Sequence, residues 1–154
     1  MVPMIDLFLA ARNDIISIFG GLLIGFAVGS IPSGYLLVRL KTGEDVRQTG
    51  SGNIGATNVS RALGVGGGVI TLFLDAAKGA AGVFVAAYVG VSVLGTPPPV
   101  WAASGALGGV LGHCYTPWLG LRGGKGVATL LGAFGLLVPV PAAVGTGVLV
   151  VTAA

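Results

Sequence analysis

The segment DVRQTGSGNIGATNVSR, residues 45–61, carries the residue types that bind phosphate. Gly50, Gly52 and Gly55 let the backbone turn its amide groups toward one point, and the hydroxyl and amide side chains between them add hydrogen-bond donors. Arg47 and Arg61 supply the positive charge that a phosphate dianion needs. Because the rest of the chain is apolar, we interpret this segment as a phosphate-binding loop at a lipid surface.

The same glycines also satisfy the GxGxxG pattern of dinucleotide-binding folds. No strand is predicted before them, and so apolar a chain has no place for a βαβ unit. A helix that begins near Thr57 or Asn58 would instead add the positive end of its dipole to the loop. The alternative is a flexible polar loop between helices. Asn58 also opens a glycosylation sequon, which we discount because the loop is predicted to face inward.

A second glycine-rich segment, GHCYTPWLGLRGGKGVAT at residues 112–129, places Arg122 and Lys125 at the mouth of a helix predicted to start near Val127. A Walker loop would require Gly at position 119 and Ser or Thr at position 126, so nucleotide hydrolysis has no support. A lysine on a glycine hinge suits anion capture. The alternative is that both cations only anchor helix ends at the membrane surface. The glycines next to Lys125, namely Gly123, Gly124 and Gly126, are the candidates for backbone contact with the anion.

Three further polar residues stand within or beside apolar runs. His113 is the single histidine, and we interpret it as a hydrogen-bonded interfacial residue rather than a catalyst. Asp75 and Lys78 are three positions apart, so on a helix they would share a face and neutralise each other where isolated charges are costly. That pair either shapes the site or braces it. We predict neither a metal site nor a Ser-His-Asp or Cys-His nucleophile system.

The composition indicates that these loops lie in a membrane protein. Apolar residues make up 54% of the chain and charged residues 8%, against roughly 25% charged in ordinary soluble domains. The net charge of +3 is too small to indicate nucleic-acid binding. The 29 glycines suit helices that pack backbone to backbone in lipid. We therefore predict one all-α membrane domain over residues 1–154, a polytopic transmembrane helix bundle.

Apolar runs predict at least four membrane crossings, each near or above the roughly 20 residues that a spanning helix needs. The runs cover residues 15–38, 65–94, 100–117 and 127 to the end. The second run allows two interpretations, a tilted helix or a short re-entrant helix followed by a span. The first run lacks the flanks of a removable signal peptide. Proline and glycine in GSIPSGY, residues 29–35, predict a bend at its end.

Basic residues predict the orientation of the bundle. The loop at 95–99 has none, whereas the two glycine-rich loops are basic and are therefore predicted to be cytoplasmic, with the amino terminus outside. With an odd number of crossings before each, both loops lie on one membrane face and converge on one ligand. The cations concerned are Arg39, Lys41, Arg47, Arg61, Arg122 and Lys125.

Four motifs, in order over residues 29–132, carry a family resemblance: GSIPSGY, GSGNIGATNVSRALG, LDAAKG and GHCYTPWLGLRGGKGVATLLG. In these motifs the chain resembles the bacterial acyl-phosphate:glycerol-3-phosphate acyltransferase family. The resemblance implies an enzyme of the inner membrane that moves a fatty acyl group from acyl phosphate to the 1-position of glycerol 3-phosphate. It implies no cofactor and no acyl-CoA or acyl-carrier-protein donor. It also implies a soluble enzyme that makes the acyl phosphate and a downstream acyltransferase.

Carried over residue by residue, the resemblance implies that Ser51, Asn53 and Thr57 bind phosphate, that Arg61 is a basic substrate ligand, and that Lys125 contributes from the second loop. Both substrates carry a phosphate, so positive charge must offset their repulsion. Further candidates are Arg47, Asn58, His113 and Lys78.

The family pattern continues beyond the end of this sequence. The resemblance implies further spans and a third polar motif with His and Asn after Ala154, so the chain is predicted to be incomplete at its carboxyl end. If the protein ends at Ala154, we predict little or no acyl transfer. Two other functions stay open. One is a small phosphate-handling transporter, although no internal repeat supports it. The other is a truncated, inactive fragment.

Overall fold

The computed structural model describes residues 3–138, and within that part the chain forms five α-helices and no strand. Two 3-10 helices, Val46–Gln48 and Pro117–Leu119, lie in the loops before α3 and after α4. The helical content confirms the predicted all-α class. The helices are α1 (Met4–Gly29), α2 (Ser33–Thr42), α3 (Ala56–Leu94), α4 (Pro98–Cys114) and α5 (Val127–Leu137).

The bend predicted from GSIPSGY is present between α1 and α2, inside the first apolar run. Pro32 has no amide hydrogen to continue the helix, and α2 begins only at Ser33. The break is held by the loop after α4, because Thr116 Oγ1 donates to the Ser30 carbonyl at 2.6 Å and Trp118 Nε1 donates to Ser30 Oγ at 3.2 Å. The end of α1 is thereby fixed next to the second glycine-rich loop.

Glycines allow α1 and α4 to pack backbone to backbone. A side chain at Gly25 would overlap the Gly105 carbonyl, and one at Gly29 would overlap the Gly109 carbonyl. The same kind of contact joins α3 to α5, where Gly79 faces the Thr129 carbonyl. Close approach of this kind replaces the hydrophobic effect as the source of helix association in lipid.

The second apolar run, residues 65–94, lies in the longest described helix, α3, which is 39 residues long and broken once. Gly64 has φ 74° and ψ 177°, a conformation that interrupts a helix and that L side chains rarely adopt. The break leaves a short segment at 56–63 and a long one at 65–94. The short segment lies before the predicted run, so the run 65–94 is one uninterrupted helix, as in the first of the two predicted arrangements. Its tilt and its insertion in the membrane stay predictions.

The outer surface is apolar, as expected of a protein in lipid. Phe19, Phe73 and Phe84 are exposed, while polar residues such as Thr71 and Asn58 are buried. Two helical stretches of the described part are long and apolar enough to cross a membrane, Met4–Thr42, which combines α1 and α2, and Ala56–Leu94.

The third and fourth runs form helices that are shorter, in the described part of the chain, than the runs themselves. Helix α4 has 17 residues and ends before residues 115–117 of the predicted run, because the chain turns at Tyr115 into the 3-10 helix. Helix α5 has 11 described residues, and the rest of the fourth run lies outside the described part. Four crossings therefore stay a prediction.

Candidate functional site

The two glycine-rich loops border one cleft of about 390 Å³. This volume lies within the range of small-molecule sites, roughly 300–1,000 Å³. The N-terminal ends of α3 and α5 and the C-terminal end of α4 complete its wall. The polar side chains on it belong to Ser51, Asn53, Thr57, Asn58, Arg61, Asp75, His113 and Lys125.

The first loop is shaped from within by Asn58, which is 1% exposed. Its Oδ1 accepts a hydrogen bond from the Ser51 amide at 3.0 Å, and its Nδ2 donates to the Val46 carbonyl at 2.8 Å and the Thr49 carbonyl at 3.0 Å. A side chain at Gly50 would overlap Asn58 Oδ1. Because these atoms are engaged with backbone, Asn58 holds the loop in place.

The loop glycines act through backbone shape. Gly50 has φ 56° and Gly52 has φ 68°, in the left-handed region that favours glycine. The Gly52 amide already donates to the Thr49 carbonyl at 3.1 Å, and the Gly55 amide donates to Asn53 Oδ1 at 2.8 Å. The amides of Gly52 and Gly55 are thus used inside the loop. The expectation that these two amides turn toward a ligand is not met in this arrangement.

The second loop is fastened to the end of α4. The Gly123 amide donates to the Cys114 carbonyl at 2.9 Å, and the Gly124 amide donates to the His113 carbonyl at 3.1 Å. Gly126 has φ 77° and turns the chain into α5, which begins at Val127 as predicted. The side chain of Lys125 is exposed at the mouth of the cleft.

Arg47 lies away from the cleft. Its guanidinium forms an ion pair with Asp45 at 2.7 Å, donates to the Leu119 carbonyl at 3.3 Å, and stands 5.4 Å from the centre of the Tyr35 ring. The hydrogen bonds from Arg47 lower the pKa of the Asp45 carboxyl below its ordinary value. Arg47 therefore joins the two loops at a point outside the cleft. Its position does not support the predicted role as a phosphate ligand.

A buried polar cluster lies beneath the cleft, and two of its members, Asp75 and His113, form the cleft floor. Asp75 lies 2.9 Å from Lys78 as an ion pair, and its Oδ1 is 3.6 Å from Nδ1 of His113. Lys78 does not line the cleft, and its Nζ donates to the Ile31 carbonyl at 2.6 Å. The sequence left open whether Asp75 and Lys78 shape the site or brace it, and the structure places Asp75 on the cleft. The signal for Asp75 as a cleft residue was a carboxylate within an apolar run.

The arrangement suits an anion. Arg61 and Lys125 bring two positive charges, and the helix ends at Ala56 and Val127 add unpaired amide groups and dipoles. Among the described residues no group of three His, Cys, Asp or Glu side chains could hold a metal. The cleft thus brings together Ser51, Asn53, Thr57, Arg61, Lys125 and His113 from the sequence predictions, but neither Arg47 nor Lys78.

The fold and this cleft define an all-helical integral membrane protein, and similarity to solved membrane structures supports the class. Residues 19–154 match the family model for glycerol-3-phosphate acyltransferase, and the chain belongs to that family. It is 50% identical over 131 residues to the glycerol-3-phosphate acyltransferase of Anaeromyxobacter sp. (strain K), with coverage of 83% of this chain and 64% of that protein. Identity to the same-named protein of Myxococcus xanthus (strain DK1622) is 54% over 117 residues, 76% of this chain and 58% of that one.

Two crystal structures of PlsY (YgiH), an integral membrane glycerol 3-phosphate acyltransferase, are similar to this chain. The glycerol 3-phosphate form is 42% identical with a TM-score of 0.66, over 82% of this chain and 60% of that one. The lysophosphatidic acid form is 39% identical with a TM-score of 0.62, over 82% and 59%. The chain thus spans 58% to 64% of the length of these relatives and structures.

Proposed function

We propose that the protein transfers a fatty acyl group from acyl phosphate to the 1-position of glycerol 3-phosphate, which yields lysophosphatidic acid and inorganic phosphate. The observation that carries the proposal is the meeting of Arg61, Lys125 and two helix N-termini on one cleft. Family membership supports acyl transfer to glycerol 3-phosphate. The motif resemblance supports acyl phosphate as the donor, and the cationic cleft suits two phosphate-bearing substrates.

In the proposed reaction the 1-hydroxyl oxygen of glycerol 3-phosphate attacks the acyl carbonyl carbon. The bond from that carbon to the phosphate oxygen breaks, and either the departing phosphate or the phosphate of the acceptor receives the hydroxyl proton. Acyl phosphate is already activated, so holding the two reactants in line supplies much of the acceleration.

Each cleft residue has a role in that positioning. Arg61 and Lys125 offset the repulsion between two dianions, which would otherwise keep the substrates apart. Ser51, Asn53 and Thr57 add hydrogen bonds to phosphate oxygens from the first loop. Gly50 and Gly52 keep that loop in shape, and Gly123 and Gly124 keep the second loop on α4. No cofactor enters the scheme.

The proposed setting is the cytoplasmic membrane of a bacterium, with the amino terminus outside and both loops in the cytoplasm. The cations of the two loops support that orientation, since positive charge is retained on the cytoplasmic side. The reaction further requires a soluble enzyme that supplies acyl phosphate and a second acyltransferase that consumes lysophosphatidic acid.

The test is product formation by purified protein in lipid vesicles that receive glycerol 3-phosphate. Parallel samples contain acyl phosphate, acyl-CoA or acyl-carrier protein, and lysophosphatidic acid is measured by mass spectrometry. We expect product with acyl phosphate alone. Product from another donor would refute the proposed donor.

Two further readouts separate the other functions. Uptake of glycerol 3-phosphate into the vesicles without product would favour a transporter. Binding of glycerol 3-phosphate without uptake or product would show that this chain is an inactive fragment and would refute the catalytic part of the proposal. A protein with both Arg61→Ala and Lys125→Ala is the control for the cleft.

A further inference from the structure

Helix α3 contains a buried ion pair, and burial of its two charges costs desolvation free energy. Asp75 is 3% exposed and Lys78 is 7% exposed, and the atoms Nζ and Oδ1 are 2.9 Å apart. A buried ion pair contributes little to stability, because desolvation cancels much of the attraction between the charges. The role of this ion pair is therefore to be sought in the groups that Asp75 and Lys78 contact, and not in a contribution to stability.

The pair reaches two other parts of the fold. On one side Lys78 Nζ donates to the Ile31 carbonyl at 2.6 Å, within the break between α1 and α2. On the other side Asp75 Oδ1 is 3.6 Å from His113 Nδ1, which has no hydrogen-bond partner among residues 3–138. His113 is 3% exposed and its Nδ1 is buried, so bulk water does not reach this atom to replace the carboxylate.

His113 in turn contacts the second glycine-rich loop through backbone and ring. Its carbonyl accepts the Gly124 amide at 3.1 Å, and the neighbouring Cys114 carbonyl accepts the Gly123 amide at 2.9 Å. A side chain at Gly124 would overlap the Nε2 end of the imidazole. The backbone of the loop therefore lies directly against the ring, one residue before Lys125.

We propose that Asp75 and Lys78 are positioning residues, which orient His113 and so hold the second glycine-rich loop where Lys125 faces a bound phosphate. Lys78 also neutralises the Asp75 carboxylate, so that the floor of the cleft does not repel an anion. The inference rests on the proposed function, because it assumes that the cleft binds a phosphorylated substrate.

Two neutral replacements of the pair test this role. Asp75→Asn with Lys78→Gln keeps polar groups of similar reach, whereas Asp75→Leu with Lys78→Met keeps side chains of similar branching and length and removes the carboxylate beside His113. Replacing both charges together avoids an unpaired buried charge, so we expect both proteins to fold, with thermal unfolding as the check. The readouts are hydrogen exchange of the Gly123 and Gly124 amides in lipid nanodiscs and the affinity for glycerol 3-phosphate.

We expect the Asn and Gln protein to stay within about threefold of wild type in both exchange and affinity. In the Leu and Met protein we expect exchange to rise and affinity to fall, each by roughly tenfold or more. Wild-type exchange and affinity in the Leu and Met protein would overturn the proposal. Equal losses in both proteins would also overturn it, since the charges themselves would then matter.

Gly124→Ala provides an independent test if the Leu and Met protein does not fold. This change pushes the loop away from the imidazole and leaves α3 intact. We expect the same rise in exchange at Gly123 and the same loss of affinity, and unchanged values would refute the inference. If wild type does not bind glycerol 3-phosphate, the proposed function fails, while the exchange data still decide whether the pair positions the loop.

Discussion

Replacement of Asn58 separates the shape of the first loop from its chemistry. The side chain makes three hydrogen bonds to loop backbone, two as donor to the carbonyls of Val46 and Thr49 and one as acceptor from the Ser51 amide. In Asn58→Ala all three backbone groups lose their partner. In Asn58→Asp a carboxylate still accepts from Ser51, but its second oxygen faces two carbonyl oxygens.

The magnitude follows from the burial of these groups. The contact with Val46 is fully buried, and a buried polar group without a partner costs roughly 1–3 kcal/mol. The contacts with Ser51 and Thr49 are part-buried, so water replaces them at lower cost. We expect Asn58→Ala to destabilise the closed loop by about 2–4 kcal/mol, which corresponds to a rise in hydrogen exchange of roughly 30-fold or more.

The assay is hydrogen exchange with mass spectrometry over residues 46–55, on wild type and both variants in lipid nanodiscs. We expect faster exchange in both, with the Ser51 amide retaining protection only in Asn58→Asp. Ser51→Ala is the matched control, because it keeps the Ser51 amide and should leave exchange unchanged while weakening phosphate binding. Wild-type exchange in Asn58→Ala would refute the scaffold role of Asn58.

Three other predictions concern the cations and the glycines. Arg61→Ala and Lys125→Ala should each lower the affinity for glycerol 3-phosphate by about 10- to 100-fold, because each removes a charge-assisted contact worth roughly 1.5–3 kcal/mol. Near-normal affinity in a binding titration would show that the replaced residue is not part of the site. Gly52→Val places a β-branched side chain at φ 68° and should reduce that affinity while membrane insertion is kept, with wild-type affinity as the contrary result. In Gly25→Leu the new side chain would overlap the Gly105 carbonyl, so the thermal unfolding temperature should fall by several degrees. An unchanged unfolding temperature would contradict backbone contact between α1 and α4.

The sequence determined the class of the protein and the content of its two loops. Long apolar runs with few charges predict a helical membrane protein, because a bilayer satisfies no backbone hydrogen bonds. Proline after Gly29 predicted the end of α1, and the start of α5 near Val127 followed from the glycines before it. Local signals of this kind depend only on a residue and its chain neighbours.

Only the tertiary structure decided which polar residues reach the cleft and which stay behind it. Arg47 and Arg61 look equivalent in the sequence, yet Arg47 is used by Asp45 and Leu119 while Arg61 lines the cleft. Asn58 looked like a ligand and proved to be fully engaged with loop backbone.

Asp75 is the converse case. It reaches the cleft floor because α3 and α4 bring it to within 3.6 Å of His113, which lies 38 positions further along the chain. Such roles depend on contacts between distant segments. The sequence gives the chemical type of each side chain, but the packing of the helices determines which groups that side chain contacts.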